Sequence, residues 1–272
     1  MKNKLITTTL CLFAVVTVYA QHEFSINAFG GMQPINFSIT GGTTSGAIDF
    51  GGGIGYNYNF SKEWSIGTGA DFSFYNASLE MKQYNLEVNT PNYDLTINAT
   101  GYKEDISALL LEIPLTARYT LPIEENSLQF TGGFKFGFPF SAKYTASADR
   151  LQTSGHFLLE DQTYRNVDDV FINEALTDQY DKWDAKMSIM LTIEAAYRFA
   201  IGEKYGFAVG VYFNYGFNDM QGSKDKYPVN IAGLNADVTK AIYTYNSMLD
   251  TERASSIRPM AVGLKLRFDL GL

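Results

Sequence analysis

The sequence predicts an all-β chain that closes into an eight-stranded antiparallel up-and-down transmembrane β-barrel with long extracellular loops. Three observations predict it. Apolar residues recur with period two in segments of about ten residues, as in strands with one face in lipid. Connections between these segments alternate between short and long, as when tight turns lie on one side of a membrane and large loops on the other. The chain also begins with an export signal, and no later stretch resembles a transmembrane helix.

The export signal comes first. Lys2 and Lys4 supply its positive start, "LITTTLCLFAVVTV" its apolar middle, and Val18 and Ala20 the small-residue cleavage positions. Cleavage is expected before Gln21, leaving residues 1–20 as signal peptide and 21–272 as the barrel domain. An uncleaved anchor helix would need a longer apolar run. The only cysteine, Cys11, lies inside the signal, and "TTLC" lacks the small residue that precedes a lipidated cysteine. The mature chain therefore forms no disulfide and no thiolate metal site.

Strands are predicted at 23–39, 46–60, 64–80, 106–121, 128–146, 187–201, 206–218 and 256–270. "GGMQP" interrupts the first. The third sets Trp64, Ile66, Ala70, Phe72 and Phe74 against Ser65, Gly67, Gly69, Asp71 and Ser73. In the fourth, "LLLEIPLTARYTL", Leu111, Ile113, Leu115, Ala117, Tyr119 and Leu121 face lipid, while Glu112, Pro114, Thr116, Arg118 and Thr120 face inward. Pro114 removes a ladder hydrogen bond and predicts a bulge or a local break in pairing. The fifth gathers Phe130, Phe134, Phe136, Phe138 and Phe140 on one face. The seventh does the same with Phe207, Val209, Val211, Phe213, Tyr215 and Phe217, and the last with Val262, Leu264, Leu266, Phe268 and Leu270. One such Phe face could be the core of a soluble sandwich. Its recurrence opposite polar residues and glycine favours lipid, because soluble eight-stranded barrels such as lipocalins turn their apolar residues inward.

The short connections are 61–63, 122–126 and 202–205; the long ones are about 81–105, 147–186 and 218–255. "GGTTSG" is a Gly-rich turn between the first two strands. Phe60, Trp64, Tyr119, Phe199 and Phe268 sit beside the short turns or at the same level, where a periplasmic aromatic girdle is expected.

Inward positions carry charges of both signs: Asp71, Glu112, Arg118, Lys135, Glu194, Arg198, Lys265 and Arg267, with Asp49 and Asp269. An isolated charge there is costly, so a structural lumen network of ion pairs is expected. A proton or ion pathway is the alternative, although eight strands enclose an interior only wide enough for side chains to fill.

"LLLEIPLTARYTLPIEENSLQFTGGFKFGFPFSAKY" resembles the Leu-Glu-Ile-Pro strand–turn–strand region of the PorT-like outer-membrane β-barrel proteins, a small-barrel family of OmpA-like architecture. "NYNFSKEWSIGTGADFSF" is similar to their second hairpin, and "GLKLRF" to their closing strand. The resemblance implies an outer-membrane barrel and transfers no catalytic residue. One family namesake is a secretion-system accessory, a role not extended to this chain. Gly263, Leu266 and Phe268 partly match a closing-strand signal for the outer-membrane insertion machinery.

Function in such scaffolds usually lies in loops. "VDDVFINEALTDQYDKWD" spaces Val170, Phe171, Ala175, Leu176, Tyr180 and Trp183 near helical period, predicting a short amphipathic helix, either a self-packing lid or a protein-binding element. Its loop is acidic, with nine acidic residues against four basic, which suits a solvated surface or divalent cations near lipopolysaccharide. In the last loop, "VTKAIYTYNSML" could pack on the other loops or contact a partner.

Enzyme chemistry has little support. His156 lies near Ser154 and Asp161, but no spacing rule makes them a catalytic set. No catalytic residue, cofactor or metal site is predicted. The sequons at Asn36, Asn76 and Asn98 read as chance in a Gram-negative envelope. Expected partners are the lipid bilayer, lipopolysaccharide, the insertion machinery during assembly and a protein at the loops. Charged residues are only 18% and net charge is -8, which disfavours nucleic acid. The sequence therefore points to a non-enzymatic integral outer-membrane barrel acting as scaffold or binding protein. A narrow channel or transport or secretion accessory, and a membrane-embedded hydrolase or acyltransferase, are the alternatives.

Overall fold

Eight long strands form a closed ring in the computed structural model, which describes residues 21–168, 170–202, 204–224, 226–232 and 241–271. The expected signal peptide and the side chain of Asp49 lie outside the described residues. The strands are β1 (Gln21–Met32), β2 (Ile48–Asn59), β3 (Trp64–Asn89), β4 (Tyr93–Ile123), β5 (Asn126–Phe157), β6 (Ser188–Ile201), β7 (Tyr205–Gly216) and β8 (Arg258–Gly271). Each pairs antiparallel with its neighbour in the chain, and β8 returns to pair with β1. The fold is the eight-stranded up-and-down barrel.

The closing seam runs from Glu23 opposite Gly271 to Met32 opposite Val262, with Gly31 facing Gly263. The backbones approach so closely there that a Cβ on Gly263 would run into the Gly30 carbonyl oxygen. Gly263→Val is expected to destabilise the closed barrel by about 3 kcal/mol through overpacking at the seam. The check is the fraction of chain that keeps heat-modifiable mobility on gels after refolding; a fraction equal to wild type would contradict it.

Strands β3, β4 and β5 have 26, 31 and 32 residues. A membrane crossing takes only about 9–11. The connection expected at 81–105 is therefore not a loop: β3 runs to Asn89, and β4 starts at Tyr93 after a tight turn. The connection expected at 147–186 also begins as strand, to Phe157. The predicted amphipathic helix is absent. Asn173–Lys182 is a strand that pairs with β5 from Lys143 to Gln152. The reason is an open sheet edge. Strand β6 begins at Ser188, opposite Gly137, so β5 beyond that point would leave its backbone groups unpaired. A second short strand, Gln162–Arg165, covers the tip.

The first predicted strand also ends early, at Met32. Pro34 cannot donate to a ladder. Ile35–Asn36 instead pairs with the start of β8, and Ile35, Phe37 and Ile39 turn into the interior.

The barrel changes character along its length. In the half beside the short turns, Ile66, Phe72, Phe74, Ile113, Leu115, Phe134 and Phe138 face outward, with polar and charged residues inside. Farther along the same strands the pattern inverts. Tyr75, Ala77, Leu79, Met81, Ile106, Ala108 and Leu110 are buried inside. Outside, Lys103 pairs with Glu80 at 3.3 Å and the Ser78 hydroxyl donates to Asp105 at 2.6 Å. The lower half suits lipid outside and water-like polarity inside; the upper half is a water-facing barrel with an apolar core. Leu109, Leu110 and Leu111 sit at the switch: Leu110 is buried inside, and its two neighbours point the other way. A bulge lies at the same level. Leu109 faces Ser141 and Leu110 faces Pro139, leaving Phe140 unpaired and changing which face the later β5 residues occupy. The effect of Pro114 is separate: the β3–β4 ladder passes from Thr68–Leu115 to Asp71–Glu112 without pairing Gly69 and Ala70 to Pro114 and Ile113.

Candidate functional site

The polar half of the lumen is filled by two charge groups. In the deeper one, Asp71 on β3 stands opposite Glu112 on β4, and Pro114 opposite Lys135 on β5. The Lys135 ammonium lies 2.9 Å from Glu112 Oε2 and 3.3 Å from Asp71 Oδ2. The Tyr75 hydroxyl donates to Glu112 Oε1 at 2.6 Å, and the ammonium also sits 5.2 Å from the Phe29 ring centre. All three charged side chains are buried.

The second group lies nearer the short turns. Arg267 on β8 reaches Glu194 on β6 at 2.8 Å and Asp269 at 2.7 Å, and donates to Gln129 Oε1. Lys265 adds a 2.9 Å contact to Glu194, and Arg198 a 3.1 Å contact to Asp269. Arg118 Nη1 meets Glu23 Oε1 at 2.7 Å, an oxygen that also accepts from Asn57 Nδ2 at 3.2 Å. Glu112 and Arg118 thus pair with different partners. They stand six residues apart on one strand, about 20 Å at 3.3 Å per residue.

The structure brings Asp71, Glu112 and Lys135 into one group and Glu194, Arg198, Lys265 and Arg267 into another through Asp269, with the Arg118–Glu23 pair beside them. Glu23 was missed because its strand begins at the expected cleavage point. Its signal was present: Glu23, Ser25 and Asn27 alternate with Phe24 and Ile26. With Glu23 and Asp269, the carboxylates of these groups match the cations one for one. Above them, Met190 and Tyr212 close the interior with Phe29 and Tyr75. The space left among the charges is a cavity of about 50 Å³, lined also by Asn27 and Thr131. That is room for water but not for a solute.

The five residues expected to form a girdle lie on the outer face beside the short turns. Phe60, Trp64, Phe199 and Phe268 are exposed and Tyr119 is half-buried. Trp64 stands opposite Tyr119, which stands opposite Phe130. Phe207 likewise stands opposite both Phe199 and Phe268. Each set therefore shares one rung of the barrel.

The extracellular end is packed as a crown. Val170, Phe171, Leu176 and Trp183 from the third connection share a core with Met220, Val229, Met248 and Leu249 from the last. A short hairpin, Val229–Ala232 with Ile242–Tyr245, carries Tyr243, whose hydroxyl donates to the Val170 carbonyl at 2.6 Å. Glu104 anchors this crown to β4. Its buried carboxylate accepts from the Met248 N–H at 2.9 Å, the Tyr102 hydroxyl at 2.8 Å and the Ser247 hydroxyl. Burial pushes the Glu104 carboxyl up to about 7. Beside it, buried Asp250 accepts from the Asp184 N–H at 3.0 Å and from Lys226 at 3.1 Å. Burial raises Asp250 as well. Sequence reasoning missed Glu104 by placing it in a loop, although Tyr102, Glu104, Ile106 and Ala108 already have strand period.

His156 is not built into a catalytic set. Its Nδ1 lies 3.1 Å from Thr163 Oγ1 and its Nε2 3.6 Å from Asp161, so neither ring nitrogen serves Ser154. Among the described residues, no three His, Cys, Asp or Glu side chains are grouped to hold a metal.

The model of the family described as "Outer membrane protein beta-barrel domain" matches residues 19–222. Among solved structures, the chain is similar to Neisserial surface protein A (NspA), with 11% identity, TM-score 0.36, and coverage of 91% of this chain and 97% of that one. It is similar to OprG from Pseudomonas aeruginosa at 11% identity, TM-score 0.35, covering 92% and 97% respectively. It also resembles the outer membrane protease OmpT from Escherichia coli at 12% identity and TM-score 0.30, covering 93% and 96%. Comparison with curated proteins found no match. The closed eight-stranded ring, its apolar outer band and the match over most of the sequence agree: the chain belongs to the outer-membrane β-barrel domain family and resides in the outer membrane of a Gram-negative cell.

Proposed function

We propose that this protein is a non-enzymatic surface scaffold or binding protein of the PorT-like kind, working through its extracellular crown. The observation that carries this reading is the length of β3, β4 and β5, which lift a packed apolar core well beyond the membrane. A platform held by strands presents its loops in one geometry, which lowers the ordering cost of binding. The charge groups act as a structural plug, and the outward rings beside the short turns act as the periplasmic girdle. A plugged lumen favours binding over a narrow channel. Lipid and lipopolysaccharide surround the barrel, the insertion machinery assembles it, and a protein partner meets the crown.

Leu159, 93% exposed at the tip of the β5 extension, is the position to probe. A photo-crosslinking residue at Leu159 or Ile242 in intact cells is expected to give one discrete adduct, identified by mass spectrometry. The same residue at Lys62, beside a periplasmic turn, should not give that adduct. Identical adduct patterns at both ends, or none at either loop position, would overturn the reading.

A further inference from the structure

We propose that the periplasmic end of the lumen is a dead-end binding site for a small oxyanion with the shared chemistry of phosphate and carboxylate. A cavity of about 340 Å³ lies below the charge groups, between the short turns. Its wall carries Lys62, Arg118, Arg198 and Lys204, with Glu23 as the opposing carboxylate. That carboxylate is already engaged by Arg118 and Asn57. Lys62 and Lys204 stand exposed at the rim and make no ion pair among the described residues. Arg118 is offset by Glu23 and Arg198 by Asp269, so the excess positive charge at the cavity is that of the two rim lysines, and low-dielectric walls concentrate it.

A second observation comes from Arg118 itself. Its side chain is 7% exposed, it spends Nη1 on Glu23, and its Nε is buried without a hydrogen-bond partner. A buried donor left unmade is costly, and the guanidinium fork matches an oxyanion better than any other side chain. Arg118 lines both this cavity and the small one among the charges. An oxyanion entering from the periplasm would meet the rim lysines first and then the arginines. It would stop there, because the contacts of Arg267 with Gln129, Glu194 and Asp269 close the way upward. The site thus binds without passage. It faces away from the crown and does not depend on the function proposed for it.

The test is isothermal titration of the folded protein in detergent with inorganic phosphate and, separately, with succinate, at constant ionic strength set by sodium chloride. Saturable one-site binding of either is expected; which one binds identifies the source class. Lys62→Gln combined with Lys204→Gln alters only exposed side chains and should weaken that binding about tenfold. Arg118→Lys keeps the charge beside Glu23 but loses the fork, and should weaken it further at unchanged heat-modifiable mobility. No saturable binding of either anion, or equal affinity in wild type and both variants, would overturn the site.

Discussion

Lys135→Met is expected to destabilise the folded barrel by about 3–5 kcal/mol, the range for removing one partner of a buried ion pair. Lys135 is the only cation of the deeper charge group among the described residues, holding Glu112 at 2.9 Å and Asp71 at 3.3 Å. Without it, two carboxylates face each other across adjacent strands in an interior that water barely reaches. The triple change Asp71→Asn, Glu112→Gln, Lys135→Met removes the charges together and should recover most of the loss. Desolvating three ions offsets much of their mutual attraction, so the intact group adds little net stability. Urea unfolding in lipid vesicles, read by tryptophan fluorescence and gel mobility, measures both variants. A single variant as stable as wild type, or a triple variant worse than the single, would show that Lys135 does not hold the plug together.

Glu104→Ala is expected to loosen the crown by at least about 3 kcal/mol of local stability while leaving the barrel closed. The change leaves the Met248 N–H and the Ser247 and Tyr102 hydroxyls without their acceptor, at about 1–3 kcal/mol for each buried group left unmade. Hydrogen exchange over residues 241–257 should accelerate strongly, while that of 110–121 stays unchanged. Wild type should also respond to pH. The Glu104 carboxyl sits near 4.5 when the crown is open and at about 7 when it is buried, so the closed form holds the proton more tightly. The resulting stability, on the order of 3 kcal/mol, is fully present below pH 4.5 and lost as pH rises through about 7. Glu104→Gln retains an acceptor and should flatten this dependence. Asp250 remains in that variant and sets any residual slope. A wild-type crown equally protected at pH 5 and pH 8, or a Gln variant with the same slope as wild type, would remove Glu104 from this role.

How much of this was legible in the sequence differs between the two ends of the barrel. In the lower half, period-two alternation of large apolar residues against glycine and polar residues is a local signal, and it located the barrel strands and the lumen side of Lys135, Glu194 and Arg267. In the upper half the period persists but its phase flips, from Phe72 and Phe74 outside to Tyr75, Ala77 and Leu79 inside. The predicted strands 64–80, 106–121 and 128–146 reach only a few residues past this level, and the continuations of β3, β4 and β5 read as loops. The predicted helix over 170–183 failed for another reason. Its apolar spacing is ambiguous over so short a run, and the unpaired edge of β5 decided for strand.

By itself, then, the sequence determined the barrel class, the number of strands and which side of most strands faces lipid. These follow from composition and from the periodicity that a pleated backbone imposes on neighbouring residues. Tertiary structure alone decided the rest: that Arg118 answers to Glu23 and Lys135 to Glu112, that the free edge of β5 takes up residues 173–182, and that residues 241–257 close over Glu104. Register, bulges and edge pairing join residues far apart in the chain, and a one-residue slip would change every partner.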